Sequence, residues 1–234
     1  MNKEDLPSEE FRSPDNVLKP DVRTGMIGAN SIEQFHANIK GYQLGEHVDE
    51  QIRIQFDTVR NLYLHAYYVY RFFPIVKHQL YVTLEHALRE CIGEKTLDKY
   101  RKSKNKQLPK NSPRFSRGLK LCLTYVVEHN LIKNEDFSVW QRGRERRAEE
   151  EYQRKILDIM ISENLESYEW DDEDIDYENV NYDYNYVNVI TDTSAGLRNS
   201  LAHGSTMLSP TPLVTFDIVS TVINKVYERY RKFC

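Results

Sequence analysis

From Val48 onward, apolar residues return at the spacing of one helix face. Ile52, Phe56, Val59, Tyr63 and Tyr67 recur every three or four positions, the period that lines one side of an α-helix. Pro74 has no amide hydrogen to give a helix interior, so it predicts an end or kink there. Val76, Leu80, Leu84, Ala87, Leu88 and Cys91 make a second stripe, with Gly93 in the place of a C-cap. A third stripe, Leu119, Cys122, Leu123, Val126 and Val127, follows Ser112-Pro113 and ends near Asn130, with the proline at a first-turn position. A fourth helix is expected from Phe137 to about Leu165 on Trp140, Ile156, Ile159 and Met160. Thr191, Asp192 and Thr193 offer N-caps for a fifth, which passes through Arg198 and stops at Gly204. The last runs from about Pro212 to Lys232, with Val214, Ile218, Val222, Ile223, Val226 and Tyr230 on one face.

Little of the chain alternates as a strand does. Tyr182, Tyr184 and Tyr186 alternate with Asp183 and Asn185, but they run on from the 163–183 segment, which holds ten acidic groups and no basic one. Such acidity predicts a solvated loop over a strand. Residues 1–46, with Pro7, Pro14 and Pro20, read as an extended arm with one short helix near Ile32 to Ile39. The expected fold class is therefore all-α. Residues 47–234 form the helical domain, and 163–186 form an acidic, tyrosine-rich insert. No internal repeat of solenoid type is present.

Composition narrows the class. Nine glycines and eight prolines in 234 residues favour helices over a turn-rich β fold. The net charge of −4 argues against a generic polyanion binder, so the distribution of charge carries more than its sum. Residues 95–120 hold ten Lys/Arg against one acid, Asp98. Arg142, Arg144, Arg146 and Arg147 make a second basic cluster. Such patches can track a phosphate backbone. The acidic run could cover a basic surface of this kind, or serve only as a solubilising loop. Cys91, Cys122 and Cys234 are odd in number and lack metal-ligand spacing, which implies no disulfide framework. The N-terminus is polar, and the most apolar stretch, Leu62 to Val76, is broken by His65, Arg71 and Pro74. The expectation is a cytoplasmic protein without a membrane span.

Most catalytic templates are missing. There is no Walker loop, GxGxxG, HExxH, CxxC or GxSxG. No cofactor is implied, and the seven histidines lack ligand spacing, so no metal is expected. What remains is Arg198, Asn199 and His203 in LRNSLAHGS. RNA cleavage without a metal needs a group that moves protons near neutrality, and histidine does so. It also needs a fixed positive charge for the pentavalent phosphorus, and the arginine fork supplies one with paired donors. The spacing alone discriminates poorly, because Arg60-Asn61 and His65 repeat it in a Tyr- and Leu-rich helix. Residues five apart lie about 140° apart on an ideal helix. Arg198 and His203 converge only if the helix loosens near Gly204 or if two subunits contribute.

The stretch Leu-Arg-Asn-Ser-Leu-Ala-His-Gly, 197–204, resembles the signature of HEPN-domain proteins. In that family Arg-x(4–6)-His, often Arg-Asn-x-x-Ala-His, lies in the penultimate helix. Residues 80–90, LYVTLEHALRE, resemble the family's early helix, and 118–132 its next one. The likeness is loose over 60–232 and specific over 197–204. It implies an antiparallel helical bundle that forms a homodimer, with two Arg/His pairs lining one cleft. It implies metal-independent RNA cleavage to a 2′,3′-cyclic phosphate, in a toxin or abortive-infection role, with an antitoxin or defence-system protein as a further partner. Carried over, Arg198 would bind the scissile phosphate, His203 would be the acid/base and Asn199 would orient or contact phosphate. Glu85 matches an acidic position of the early helix that faces the motif, or else simply pairs with Arg89 at i,i+4. Toxins paired with nucleotidyltransferase antitoxins carry a tyrosine two positions after the histidine, where this chain has Ser205. Some members are inactive scaffolds or nucleotide binders, and that is the alternative here.

Overall fold

A computed structural model describes residues 11–28, 31–203 and 211–230. Gly204, Ser205, Cys234 and the end of the expected terminal helix lie outside the described residues. Among the described residues there are eight α-helices and no strand. They are α1 (Ile32–Ile39), α2 (Glu50–His65), α3 (Phe72–Ile92), α4 (Glu94–Gln107), α5 (Leu119–Glu128), α6 (Ser138–Glu163), α7 (Tyr186–Ala202) and α8 (Leu213–Tyr230). None of the described helices is long and apolar enough to cross a membrane. The chain divides into two compact units. The first joins everything up to Ile132 with Ile190 onward, and the second is Lys133–Val189.

The first unit is built around α3. Its stripe of Phe73, Val76, Leu80, Leu84, Ala87 and Leu88 is fully buried. It packs along α2 and α8, with α4 and α5 alongside. Phe35, Tyr63, Phe73 and Phe216 meet ring to ring at centroid distances of 5.2 to 6.1 Å, locking α1, α2, α3 and α8 together. Truncating one of these buried side chains to alanine costs about 2–5 kcal/mol. Pro74 sits in the first turn of α3, where its missing N–H has no helical partner to lose. Gly93 ends the helix at φ +86°, a conformation that glycine adopts without Cβ strain, and its N–H donates to the carbonyl of Arg89.

Four features depart from the sequence reading. The short helix expected near Ile32 to Ile39 is present as α1, but the described part of 1–46 is held to the bundle and is not a free extended arm. Phe35 and Ile39 of α1 are core residues, the Arg12 guanidinium donates to the Tyr68 carbonyl at 2.7 Å, and the N–H of Asp21 donates to the Tyr67 carbonyl. Second, α4 was not expected. Only Leu97 of its fourteen residues is buried, so no apolar stripe announced it. Third, Pro113 does not open α5, which begins at Leu119. Residues 109–118 form a loop bridged by Asn105, whose amide holds both the N–H and the carbonyl of Phe115. Fourth, α7 begins at Tyr186, so Thr191, Asp192 and Thr193 lie inside it. The cap is Asn185, whose Oδ1 accepts from the N–H of Asn188 at 3.1 Å.

In the second unit the acidic segment is held against α6. The Trp140 indole donates to the Tyr184 carbonyl at 2.8 Å, and Arg144 donates to the carbonyls of Tyr177 and Glu178. Trp170 packs edge-on to Tyr152 at 5.0 Å. Tyr182 lies beside Trp140 and over Gly143, where a methyl would come within 3.0 Å of its Cζ and closer still to its hydroxyl. Arg144 thus grips backbone carbonyls of the acidic run, not its carboxylates.

Candidate functional site

The site assembles on α7 and α3 of the first unit. Ile190, Thr191 and Ser194 are buried, and they fix which face of α7 meets the bundle. Gly196, Leu197, Asn199, Ser200, Ala202 and His203 are exposed, and Arg198 lies at the boundary. The helix stays regular to its end, since the N–H of His203 still donates to the carbonyl of Asn199 at 3.1 Å. Asn199 and His203 are one turn apart and share a face. Arg198 points about 140° away from His203.

Arg198 meets Glu85 of α3. The guanidinium Nη2 lies 3.5 Å from Glu85 Oε2, and Nη1 donates to Asn199 Oδ1 at 3.3 Å. The Arg198 side chain keeps 35% of its exposure and Glu85 only 14%. Among the described residues, Arg198 Nε and Glu85 Oε2 are buried without a hydrogen-bond partner. Glu85 is shared, because its Oε1 accepts from Arg89 Nε at 3.3 Å. Arg89 also pairs with Glu94 and donates to the Arg117 carbonyl at 3.0 Å. Burial works to lower the Arg89 pKa, but the Glu94 hydrogen bond and the charges around it raise it on balance. The result is a row of alternating charges, Arg198, Glu85, Arg89 and Glu94.

Glu85 thus makes the i,i+4 pair with Arg89 and also reaches Arg198 of the motif. The structure brings Glu85, Arg198 and Asn199 together. It does not bring His203 to Arg198 within this chain, and among the described residues no hydrogen bond or ion pair joins them. Arg89 is the member that sequence reasoning noticed only as a rival explanation for Glu85. Its i+4 spacing and the glutamate at the start of α4 were the available signal.

The second Arg-Asn/His copy differs in its partners. Arg60 takes Asp57, three residues earlier on its own helix, at 2.7 Å. His65 lies at the end of α2, with its ring centroid 6.5 Å from that of Tyr68. No carboxylate from another helix fixes Arg60 among the described residues. Cys122 is buried near Arg89, and burial pushes its thiol pKa up to about 12, so it is protonated and no nucleophile at neutral pH. Among the described residues no group of three or more His, Cys, Asp or Glu is placed to hold a metal ion. A cleft of about 520 Å³ in the second unit, lined by Trp140, Gln141, Arg144, Glu149 and Tyr177 among others, includes none of the motif residues.

An arginine paired with a half-buried carboxylate, beside an exposed amide, can bind a phosphate, and the exposed imidazole on the other side of α7 can exchange protons. Compared with family models, curated proteins and solved structures, the chain matches none of them.

Proposed function

We propose that the chain is a HEPN-type endoribonuclease that cleaves RNA without a metal and works as two copies. One observation carries the reading: Glu85 of α3 fixes Arg198, while Asn199 and His203 stand open on the same helix. In the proposed reaction the 2′-hydroxyl loses its proton and its oxygen attacks the adjacent phosphorus. The bond to the 5′-oxygen breaks, and that oxygen takes a proton. The products are a 2′,3′-cyclic phosphate and a 5′-hydroxyl. His203 moves the protons. Arg198 donates to the phosphate oxygens as charge gathers on them, and the Asn199 amide adds a neutral donor. Glu85 positions Arg198.

On this reading a complete pair takes an arginine from one copy and a histidine from the other, which the regular end of α7 supports. Gly196, Asn199 and His203 are exposed on one face of α7, and that face gives a second copy room to approach. A toxin or antiphage-defence role comes from the family resemblance alone. A second reading is favoured by the ion pair itself: with Arg198 engaged by Glu85 and turned from His203, the chain would be an inactive HEPN module that binds RNA or nucleotide.

The test compares wild type with Arg198→Ala, His203→Ala and His65→Ala. Total RNA from expressing cells is mapped for new 2′,3′-cyclic phosphate ends, and the purified full chain is assayed in EDTA. The ribonuclease reading expects new ends from wild type and His65→Ala, none from the two motif variants, and cleavage that persists in chelator. Wild type that is folded and dimeric yet leaves no new ends contradicts it and favours the inactive module.

A further inference from the structure

The helix that the apolar pattern did not reveal carries four lysines whose placement is not explained by the fold. Lys95, Lys99, Lys102 and Lys106 of α4 are spaced four, three and four apart, which keeps them within a sector of about 60°. All four are exposed, and among the described residues none has an acidic partner. Most other cations of this region are occupied, Lys120 by Asp192, while Lys110 is exposed in the loop after α4. Arg101 and Arg117 share Asp98, the only acid in 95–120, and Lys104 pairs with Glu128. Arg114 donates to the carbonyls of Asn105 and Leu108. The unpaired charge of α4 itself is therefore gathered on one face.

That arrangement costs stability. Like charges three or four apart on a helix destabilise it by about 0.2–0.5 kcal/mol per pair. The contacts that hold α4, Leu97 in the core and Tyr100 and Lys104 against α5, involve none of the four. A stripe of this kind is useful when an anion covers it. The stripe is about 16 Å long at 1.5 Å per residue. A nucleic-acid strand places a phosphate about every 3.4 Å of axis, so the stripe can face several phosphates in succession. It also begins where the network of Arg198 ends: Glu94, the residue before Lys95, pairs with Arg89, which holds Glu85, which holds Arg198. An anionic membrane fits less well. A helix that lies on lipid inserts an apolar face, and α4 has no large apolar residue exposed.

We infer that Lys95, Lys99, Lys102 and Lys106 form a rail that carries the RNA backbone toward Arg198. The choice of RNA as the anion rests on the ribonuclease reading, whereas the rail itself rests on α4. The test measures binding of the full chain to a labelled single-stranded 2′-O-methyl RNA, which lacks the attacking hydroxyl. Wild type is compared with the variant Lys95→Gln/Lys99→Gln/Lys102→Gln/Lys106→Gln and with a control, Lys19→Gln/Lys40→Gln/Lys155→Gln. Circular dichroism checks that α4 remains helical, and glutamine is a good helix former.

The rail predicts that the four-lysine variant loses about tenfold or more in affinity at low salt. Its slope of log affinity against log salt falls by about 3, since each phosphate neutralised on a single strand contributes about 0.7. The control keeps the wild-type slope. On cleavable RNA the variant raises KM and leaves kcat near wild type. An unchanged slope in the variant overturns the rail, as does a wild type that does not bind RNA. Loss of binding to phosphatidylserine vesicles with RNA binding intact overturns it too, and assigns the stripe to a membrane. A lost slope without any cleavage by wild type keeps the rail and discards the ribonuclease reading.

Discussion

Glu85 Oε2 lies 3.5 Å from Arg198 Nη2, and its other oxygen lies 3.3 Å from Arg89 Nε. One carboxylate of α3 thus balances two guanidinium groups, and one of them belongs to the motif at the end of α7. The pair is partly exposed, so its net contribution to stability is about 0–1 kcal/mol. Its effect on where Arg198 points is the larger consequence. Glu85→Gln should keep the melting temperature near wild type and reduce RNA cleavage by about tenfold, equivalent to about 1.4 kcal/mol in the barrier. Arg198→Lys should lose more, about 100-fold, because an ammonium cannot present the planar fork. Steady-state cleavage with parallel thermal melts reads both, and an unaltered rate in Glu85→Gln removes the positioning role.

Gly143 lies in α6 under Tyr182. Glycine to alanine in a helix interior ordinarily stabilises by about 1 kcal/mol. Here the added methyl meets the tyrosine ring end, so the gain should be cancelled or reversed and Tyr182 should leave Trp140. In a Tyr182→Ala background the same change should recover its ordinary stabilising sign. Chemical denaturation of the four proteins in a double-mutant cycle, with Trp140 fluorescence as a local reporter, measures the coupling. A coupling near zero would mean that the tyrosine-rich segment does not rest on α6.

Asp21 is buried, with its carboxylate taking Arg23 Nε at 2.8 Å and the N–H of Tyr70 at 3.1 Å. Burial alone would raise its pKa, but the Arg23 and backbone hydrogen bonds outweigh it and hold it below the usual aspartate value. A carboxylate whose pKa is lowered by folding adds stability above its unfolded pKa. That stability is lost as pH falls through the folded value. Melting temperature should therefore drop below about pH 4, with the wild type losing more than Asp21→Asn over that window. At neutral pH Asp21→Asn should be strongly destabilising, because the buried Arg23 guanidinium loses the carboxylate charge that faces it. Melts from neutral to acid pH decide it, and identical acid slopes in the two proteins would exclude Asp21 as a contributor.

The sequence made the apolar half of this fold legible and hid the polar half. The stripes on α2, α3, α5 and α8 were readable because each buries one continuous face. The α4 helix was not, since its pattern is one of charge, with Leu97 alone turned inward. The start of α7 was misplaced because Thr191, Asp192 and Thr193 have the chemistry of caps, while Tyr186 and Val187 are buried and extend the helix back to Asn185. Arg198, Asn199 and His203 were found as residue types in a spacing. What separates them from Arg60, Asn61 and His65 is the carboxylate that α3 delivers, a contact across more than a hundred residues that no local pattern contains.

The most direct test of the central claim mixes two inactive chains. Arg198→Ala keeps its histidine and His203→Ala keeps its arginine. If each site joins Arg198 of one copy to His203 of the other, a mixed dimer contains one intact site of its two. With random exchange of subunits, half the dimers are mixed, so equal amounts of the two inactive variants should regain about a quarter of wild-type RNA cleavage. The products should again end in 2′,3′-cyclic phosphate. A mixture that exchanges subunits but stays inactive, beside an active wild type, would contradict a site shared between two copies.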